Sequence, residues 1–260
     1  MASDSPELGS HSPGSSKGAK DFQRVTFESP GTVRKYGDAF RLKREAEAME
    51  FVSKHIQIPI PKILDTYFGS DTDGDYSWLL MTRIPGTQMG EVWPDMSEDA
   101  RSNIIQDLTT IIDKLRNIPQ NQSGWIGSCS RGPAYDHRLD NISTCGPFPS
   151  VSDFHDFLVA PLQRCPKPEL GAKYRRYLTD NRPVVFSHAD LSWENVLLEP
   201  RSGQVTRILD WEMAGFWPDW WEYRKVLFGS RSKLWWMSVV NEALQNFPEE
   251  TEVDMDIEMF

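Results

Sequence analysis

The sequence predicts an α+β fold of two lobes, a small lobe rich in β-strands and a larger, mainly helical one. Strand-like segments in the first third of the chain surround a single amphipathic segment. Pro85-Gly86 then interrupts the pattern, and beyond it helical stripes are broken by one short β-hairpin. We expect a disordered tail at residues 1–20, a reduced N-terminal lobe at 21–84, a C-terminal lobe at 85–248 and an acidic tail at 249–260.

The N-terminal lobe is expected to hold one helix, at residues 41–55, because apolar residues recur there at helical spacing. Ile58-Pro59-Ile60-Pro61 must be extended, since two prolines exclude a helix. The space before Thr32 allows at most one short hairpin. The expected strands are 22–27, 32–36, 63–68 and 78–84, the last two flanking a turn at 71–75.

The C-terminal lobe is predicted to begin with a helix that Ser97 caps and that runs to about Arg116. Its apolar stripe is Ile104, Ile105, Leu108, Ile111, Ile112 and Leu115. A long loop rich in Gly, Ser and Pro follows. The remaining expected elements are the loop 124–148, helices at 152–162, 171–180, 220–228 and 232–247, and a hairpin of strands 196–198 and 205–209.

Composition excludes several classes of protein. The formal net charge of −10 argues against binding to nucleic acid, which requires a basic face, and mildly favours a cationic or neutral small substrate. No stretch is long and apolar enough to span a bilayer, and no signal peptide opens the chain. Three cysteines without Cys-x-x-Cys spacing suggest free thiols in a reducing compartment. We therefore expect a cytoplasmic protein with no membrane partner.

The segment from His188 to Asp210 carries the clearest chemical pattern. Asp190 is followed by Asn195, and the predicted hairpin then leads to Asp210. A hairpin places Asn195 and Asp210 at its open end, close enough to share one metal ion. Phosphoryl transfer from ATP uses such a set, in which one carboxylate orients the attacking hydroxyl and a second carboxylate and an amide oxygen hold Mg²⁺. Phosphate-loop, nucleophile-elbow and zinc-protease motifs are absent from the sequence.

This segment resembles the aminoglycoside phosphotransferase and choline kinase families, and in particular their small fungal members. The matching runs are His188-Ala189-Asp190-Leu191 with Asn195, Leu209-Asp210-Trp211-Glu212-Met213-Ala214-Gly215, and Pro218-Asp219-Trp220-Trp221-Glu222-Tyr223. The resemblance extends from about Thr32 to Tyr223. It departs at Ala189, where the family usually has Gly, and before Lys35, where no Gly-rich phosphate-covering motif is found.

The resemblance implies a two-lobed protein-kinase-like fold and assigns roles to residues of the N-terminal lobe. Lys35 would bind the ATP phosphates and Glu45 would pair with it, although Glu45 could instead belong to a solvated charged face of the helix. The backbone of Met81, Thr82 and Ile84 would hold the adenine, although a buried strand without a ligand fits that stretch equally well.

In the C-terminal lobe, the candidate catalytic residues are Asp190 and His188, with His188 more suited to holding the loop than to moving protons. Asn195 and Asp210 are the candidate Mg²⁺ ligands, and Glu222 is expected to fix the catalytic-loop backbone. The four tryptophans between residues 211 and 221 are expected to pack in the core.

The hypothesis is an ATP- and Mg²⁺-dependent phosphotransferase acting on a hydroxyl of a small molecule. The alternative is a pseudokinase-like module that binds a nucleotide or a partner without catalysis. Retention of the Lys, the two Asp residues and the Asn favours the enzyme, whereas the missing Gly-rich motif favours the alternative. The oligomeric state and the identity of the substrate stay open.

Overall fold

A computed structural model of the protein describes residues 24–69, 77–121, 124–139, 144–230 and 233–259, without the side chains of 229 and 230. The tail expected at residues 1–20 and the turn expected at 71–75 lie outside the described residues.

Nine strands and eight α-helices are found in the described part of the chain. The strands are β1 (Arg24–Ser29), β2 (Thr32–Gly37), β3 (Ile63–Tyr67), β4 (Ser77–Thr82), β5 (Thr87–Gln88), β6 (Val184–Ser187), β7 (Val196–Leu198), β8 (Val205–Ile208) and β9 (Gly215–Pro218). The helices are α1 (Ala39–His55), α2 (Met89–Val92), α3 (Glu98–Arg116), α4 (Val151–Val159), α5 (Glu169–Arg175), α6 (Trp221–Ser230), α7 (Leu234–Ala243) and α8 (Pro248–Ile257). Short 3-10 turns lie at Trp93–Asp95, His137–Leu139 and Ala160–Arg164.

The small lobe is an antiparallel sheet in the order β1-β2-β4-β3, with α1 packed against it. Helix α1 begins after Asp38, whose side chain accepts the backbone N–H of Arg41 at 3.0 Å. Leu42, Met49 and Val52 of α1 are almost completely buried. The expected α+β organisation, a small β-rich lobe before a larger and mainly helical one, is confirmed.

The sequence allowed at most one short hairpin before Lys35, and the structure forms it from β1 and β2. Its turn is Pro30-Gly31, and the carbonyl of Gly31 accepts the backbone N–H of Arg83 at 2.8 Å, just after β4. Lys35 pairs with Val25 toward the opposite end of the hairpin. The turn therefore does not cover the region around Lys35. The chain that continues β1 past Lys35 precedes Arg24 and lies outside the described residues.

The larger lobe contains the predicted hairpin of β7 and β8, which β5 extends to a three-stranded sheet. The cap of α3 is confirmed, since the side chain of Ser97 accepts the N–H of Ala100 at 3.2 Å. A second sheet was not predicted from the sequence. It pairs β6 with β9, so that Ser187, just before His188, lies opposite Gly215, five residues after Asp210. The four tryptophans between residues 211 and 221 are fully buried, as expected, and they are Trp211, Trp217, Trp220 and Trp221.

The last residues differ from the expectation of an acidic tail. Most of the segment 249–260 is helix α8, in which Glu250 and Asp254 are buried. Asp254 binds the guanidinium groups of Arg224 and Arg138, and Glu250 binds that of Arg182. The negative charges of these carboxylates are neutralised by arginines of the larger lobe. These ion pairs bind the acidic helix α8 to that lobe. Among the described helices, none has the length and apolar character needed to cross a membrane.

Candidate active site

The open end of the β7–β8 hairpin brings together the two residues that the sequence proposed as metal ligands. The backbone N–H of Leu209 donates to the carbonyl of Asn195 at 2.8 Å, which fixes Asp210 beside Asn195. Both residues line a cavity of about 670 Å³ between the lobes, and Lys35 lines it as well. Asp210 has a φ of 66°, a left-handed conformation that is uncommon outside Gly but that Asp and Asn adopt more readily than most residues.

Two buried side chains, His188 and Glu222, hold the backbone of the loop that contains Asp190. His188 donates from Nε2 to the carbonyl of Leu209 at 2.9 Å, and its Nδ1 accepts the N–H of Asp190 at 3.2 Å. Glu222 accepts the N–H of Ala189 at 3.0 Å, which confirms its expected role. Burial lowers the pKa of His188 to about 4, so the ring is neutral. With both nitrogens engaged, His188 positions the loop.

Ala189 occupies the position where the family pattern usually has Gly. Its φ is 61°, in the left-handed region, and its side chain is completely buried. A Cβ atom in this conformation costs about 1–2 kcal/mol, whereas Gly adopts it freely. The backbone of this loop therefore requires the conformation that Gly usually supplies, and the bonds of His188 and Glu222 hold Ala189 in it.

Asp190 lies next to the cavity rather than in its lining. The side chain of Asn195 donates from Nδ2 to the carbonyl of Asp190 at 2.8 Å and lies 3.4 Å from its Oδ2. Burial raises the pKa of Asp190 to about 7; Lys225 opposes this, and the negative charge of Asp210 adds to it. A carboxylate with a pKa near neutrality can accept a proton and still be ionised in much of the population.

Lys35 joins the two lobes at the cavity. Its Nζ lies 2.7 Å from Glu45 on α1 and 2.7 Å from Asp210. Burial alone would lower the pKa of Lys35, but the two carboxylates outweigh it and raise that pKa, so the amine stays charged. Glu45 is 2% exposed, so it does not belong to a solvated face of α1.

Glu212 takes part in a second cluster that the sequence did not predict. Its Oε1 lies 2.7 Å from Nη2 of Arg41 and 3.1 Å from Nε2 of His137. These two partners hold the pKa of Glu212 down to about 2, although burial opposes them. Glu45, Asp210 and Glu212 lie close enough to hold one metal ion, but cationic side chains contact all three. The contacts with Arg41 and His137 give Glu212 a structural hydrogen-bonding role.

The other end of the cavity is formed by the end of β4 and the segment that follows it. Met81, Thr82 and Ile84 line it, as expected for residues that would hold a base. Val33 and Leu197 add apolar walls. A residue with no sequence-derived role, Arg207 of β8, also lines this end, and it donates from Nη1 to the carbonyl of Thr82 at 2.5 Å.

Sequence reasoning missed Arg207, Arg41 and His137. A charged residue in the middle of an otherwise apolar strand was the available signal for Arg207, since such residues are rarely buried without a reason. For Arg41 and His137 no local pattern exists, because both partners of Glu212 lie far from it in sequence, on α1 and in the long loop.

A family model and two curated relatives match most of this chain. The model of the phosphotransferase enzyme family, APH, matches residues 32–232. Aminoglycoside 3'-phosphotransferases from Streptomyces ribosidificus and Streptomyces fradiae are each 26% identical, over 178 and 180 residues. Each alignment spans 66% of this chain, and 59% and 58%, respectively, of the length of these relatives.

Solved structures show the same fold. The GDP complex of aminoglycoside 2'-phosphotransferase-IIIa aligns with a TM-score of 0.59 at 17% identity, covering 93% of this chain and 80% of that chain. A mutant of aminoglycoside phosphotransferase APH(4)-Ia, solved with ADP and hygromycin B, aligns with a TM-score of 0.59 at 18% identity, covering 94% and 82%. The protein-kinase-like fold implied by the sequence is thereby confirmed.

Proposed function

Because the chain belongs to the phosphotransferase enzyme family, we propose that it transfers the γ-phosphoryl group of a nucleoside triphosphate, expected from the sequence to be ATP, to a hydroxyl group of a small molecule. The observation that carries this proposal is the convergence of four side chains from both lobes. Lys35, Asn195 and Asp210 line one cavity, and Asp190 is hydrogen-bonded to Asn195 at its edge.

Asp190 is the proposed catalytic carboxylate. From its position beside cavity-lining Asn195, it would orient the acceptor hydroxyl toward a bound γ-phosphate. Phosphoryl transfer has a loose transition state, so orientation of the hydroxyl is the larger contribution and removal of its proton follows. A pKa of about 7 suits both tasks near neutral pH.

The phosphate end of the cavity suits a magnesium nucleotide. Nδ2 of Asn195 is used by Asp190, whereas its Oδ1 accepts no hydrogen bond from the described residues, and Asn195 lines the cavity. Asp210 offers Oδ2, since Lys35 contacts only Oδ1. These hard oxygens fit Mg²⁺, which when bound neutralises charge on the β- and γ-phosphates. Lys35 would contact the phosphates while Glu45 keeps it oriented.

The class of acceptor substrate is proposed from the relatives of this chain. Two relatives are named aminoglycoside 3'-phosphotransferases, and hygromycin B is present in one related structure. We infer a small, hydroxylated acceptor for this chain. We propose that the 124–148 loop helps to recognise this acceptor near the metal site. In support, His137 of that loop contacts Glu212, two residues after Asp210. A cytoplasmic location is part of the same proposal.

A screen of hydroxylated small molecules for release of the nucleoside diphosphate tests this function. Each compound is assayed with ATP and with GTP, with and without Mg²⁺, using the wild type and Asp210→Ala. We expect acceptor-dependent release that needs Mg²⁺ and falls by about two orders of magnitude in the variant, because the metal loses a ligand. Calorimetry of nucleotide binding adds the second measurement. If Mg²⁺ tightens binding equally with and without Asp210, the metal site lies elsewhere. Mg²⁺-dependent binding without turnover of any acceptor would favour the non-catalytic alternative.

A further inference from the structure

Arg41, in the first turn of helix α1, binds a buried carboxylate of the larger lobe. Its Nη2 lies 2.7 Å from Oε1 of Glu212, and its Nε lies 3.1 Å from each of the two carboxylate oxygens. Nη2 also lies 3.4 Å from Nε2 of His137. The side chain of Glu212 is 2% exposed and that of Arg41 is 16% exposed. This ion pair, held by several hydrogen bonds, therefore joins the small lobe to the larger one.

Glu212 belongs to a group of three carboxylates beside the phosphate end of the cavity. One oxygen atom from each of Glu45, Asp210 and Glu212 lies within 4.8 Å of the others. Lys35 contacts the first two, each at 2.7 Å, and Arg41 contacts the third. Like charges at this distance repel each other strongly when they are shielded from bulk water. The positive charges of Lys35 and Arg41 together offset that repulsion.

The two cations are placed differently with respect to the cavity. Lys35, Glu45 and Asp210 line it, whereas Arg41 and Glu212 do not. A nucleotide bound there would contact Lys35 through its phosphates without touching Arg41. Any effect of Arg41 on nucleotide binding would thus pass through Glu212.

The loss of Arg41 would leave Glu212 as a buried negative charge close to Lys35. The amine of Lys35 lies 2.7 Å from two carboxylates, and both of them lie within 4.8 Å of Glu212. The phosphates of a nucleotide are anions as well. Glu212 without its partner would compete with these phosphates for Lys35 and would repel them.

We propose that Arg41 is a positioning residue for the nucleotide, because by neutralising Glu212 it reserves Lys35 for the phosphates. The inference rests on the proposed function, since it concerns the phosphate contact of the same reaction. Arg41 and Glu45 are four residues apart on α1 and therefore lie on the same face of the helix. One helix thus orients Lys35 and neutralises the carboxylate that would compete for it.

Other contacts keep α1 in place when Arg41 is replaced. Arg44, three residues further along, donates from Nη1 to the carbonyl of Pro133 at 2.7 Å. Its Nε donates to the carbonyl of Glu212 at 3.3 Å. Near the C-terminal end of α1, the ring of Phe51 stacks on a ring of β6, with centroids 5.3 Å apart. A change in nucleotide affinity in variants of Arg41 would therefore report on charge rather than on detachment of the helix.

Calorimetric titration with the Mg²⁺ complex of a non-hydrolysable ATP analogue is the first test. Arg41→Met should bind it about tenfold more weakly than the wild type, whereas Arg41→Lys keeps the charge and should stay within about threefold. Arg34→Met is the matched control, because Arg34 is adjacent to Lys35 and forms an ion pair of the same 2.7 Å length, but with Glu28 inside the small lobe. It should bind as the wild type does. Unchanged affinity in Arg41→Met, equally weak binding by Arg41→Lys, or the same loss in Arg34→Met would overturn the proposal.

A double variant separates neutralisation of Glu212 from any other role of Arg41. Arg41→Met combined with Glu212→Gln removes both charges, a replacement that buried ion pairs often tolerate, so it is informative even if Arg41→Met alone folds poorly. Its affinity for the ATP analogue should return to within about threefold of the wild type. A merely structural loss would not be repaired by a second substitution in the same contact. Persistence of the tenfold loss in the double variant would refute the role assigned to Arg41.

These results separate the inference from the function on which it rests. If the wild type does not bind the analogue in the presence of Mg²⁺, the proposed phosphotransferase function fails first. If the wild type binds it and turns over ATP with an acceptor, but Arg41→Met binds it equally well, only the role of Arg41 fails.

Discussion

Replacement of Asp190 by Asn should lower turnover by about two orders of magnitude or more and at the same time stabilise the protein in a pH-dependent way. Asp190 is a buried acid whose pKa is raised from 3.8 to about 7, chiefly by desolvation. Its ionised form is therefore less stable in the folded protein than in the unfolded chain. The stability that the protonated form provides is fully present below pH 4 and is lost as the pH rises through 7.

The magnitude follows from the pKa. Each pKa unit is worth about 1.4 kcal/mol, so a rise from 3.8 to about 7 corresponds to about 4 kcal/mol when Asp190 is fully ionised. Asp190 is only partly shielded from solvent at the cleft, which reduces the expected gain to about 2–4 kcal/mol. Asn keeps the shape of the side chain, and the 3.4 Å contact with Asn195 contributes little.

Urea unfolding at a series of pH values measures this gain. At pH 8 the free energy of unfolding of Asp190→Asn should exceed that of the wild type by about 2–4 kcal/mol, and the two should converge near pH 4. Turnover should fall by about two orders of magnitude or more at every pH. In the wild type, kcat/KM should rise with pH around 7, because the ionised carboxylate is the active form.

Asp136 provides a matched control with the opposite sign. It is also a buried carboxylate, but it contacts Lys225 at 2.6 Å and accepts from Trp221 at 2.9 Å. Asp136→Asn should destabilise the protein by about 3–5 kcal/mol, because Lys225 is then left buried without its partner. Turnover at the wild-type rate in Asp190→Asn, or a stability difference that does not change with pH, would refute the assignment of Asp190.

Two further substitutions test the phosphate contact and the strained loop. Lys35→Met should nearly eliminate binding of a non-hydrolysable nucleotide in a calorimetric titration, since Lys35 is the cation at the phosphate end and the β1–β2 turn does not cover it; micromolar binding that survives would show that another element holds the phosphates. Ala189→Gly should stabilise the protein by up to about 1 kcal/mol in urea unfolding, because the relief of the left-handed Cβ exceeds the entropy that Gly adds to the unfolded chain. Ala46→Gly, within helix α1, is its control and should destabilise by about 1 kcal/mol; a similar loss in Ala189→Gly would contradict the strain argument.

The order of the elements and the spacing of the candidate site residues could be predicted from the sequence. Helix α3 with its Ser97 cap, helix α1 and the β7–β8 hairpin are local structures, because their signals lie in residue spacing and capping within one segment. The same holds for the spacing of Asp190, Asn195 and Asp210, since a short hairpin brings its own ends together. The role of Glu222 was foreseen from its place in the family motif and is confirmed by its bond to Ala189.

Only the tertiary structure decided which distant residues meet. The pairing of β6 with β9 joins two segments for which no strand was predicted. The sequence predicted an acidic tail where helix α8 lies, yet Arg224 and Arg138 form ion pairs with the buried Asp254. The contact of Arg207 with Thr82 spans 125 positions in sequence. Burial, pKa and charge compensation depend on the whole environment of a side chain, and that environment is set by packing between elements rather than by any local pattern.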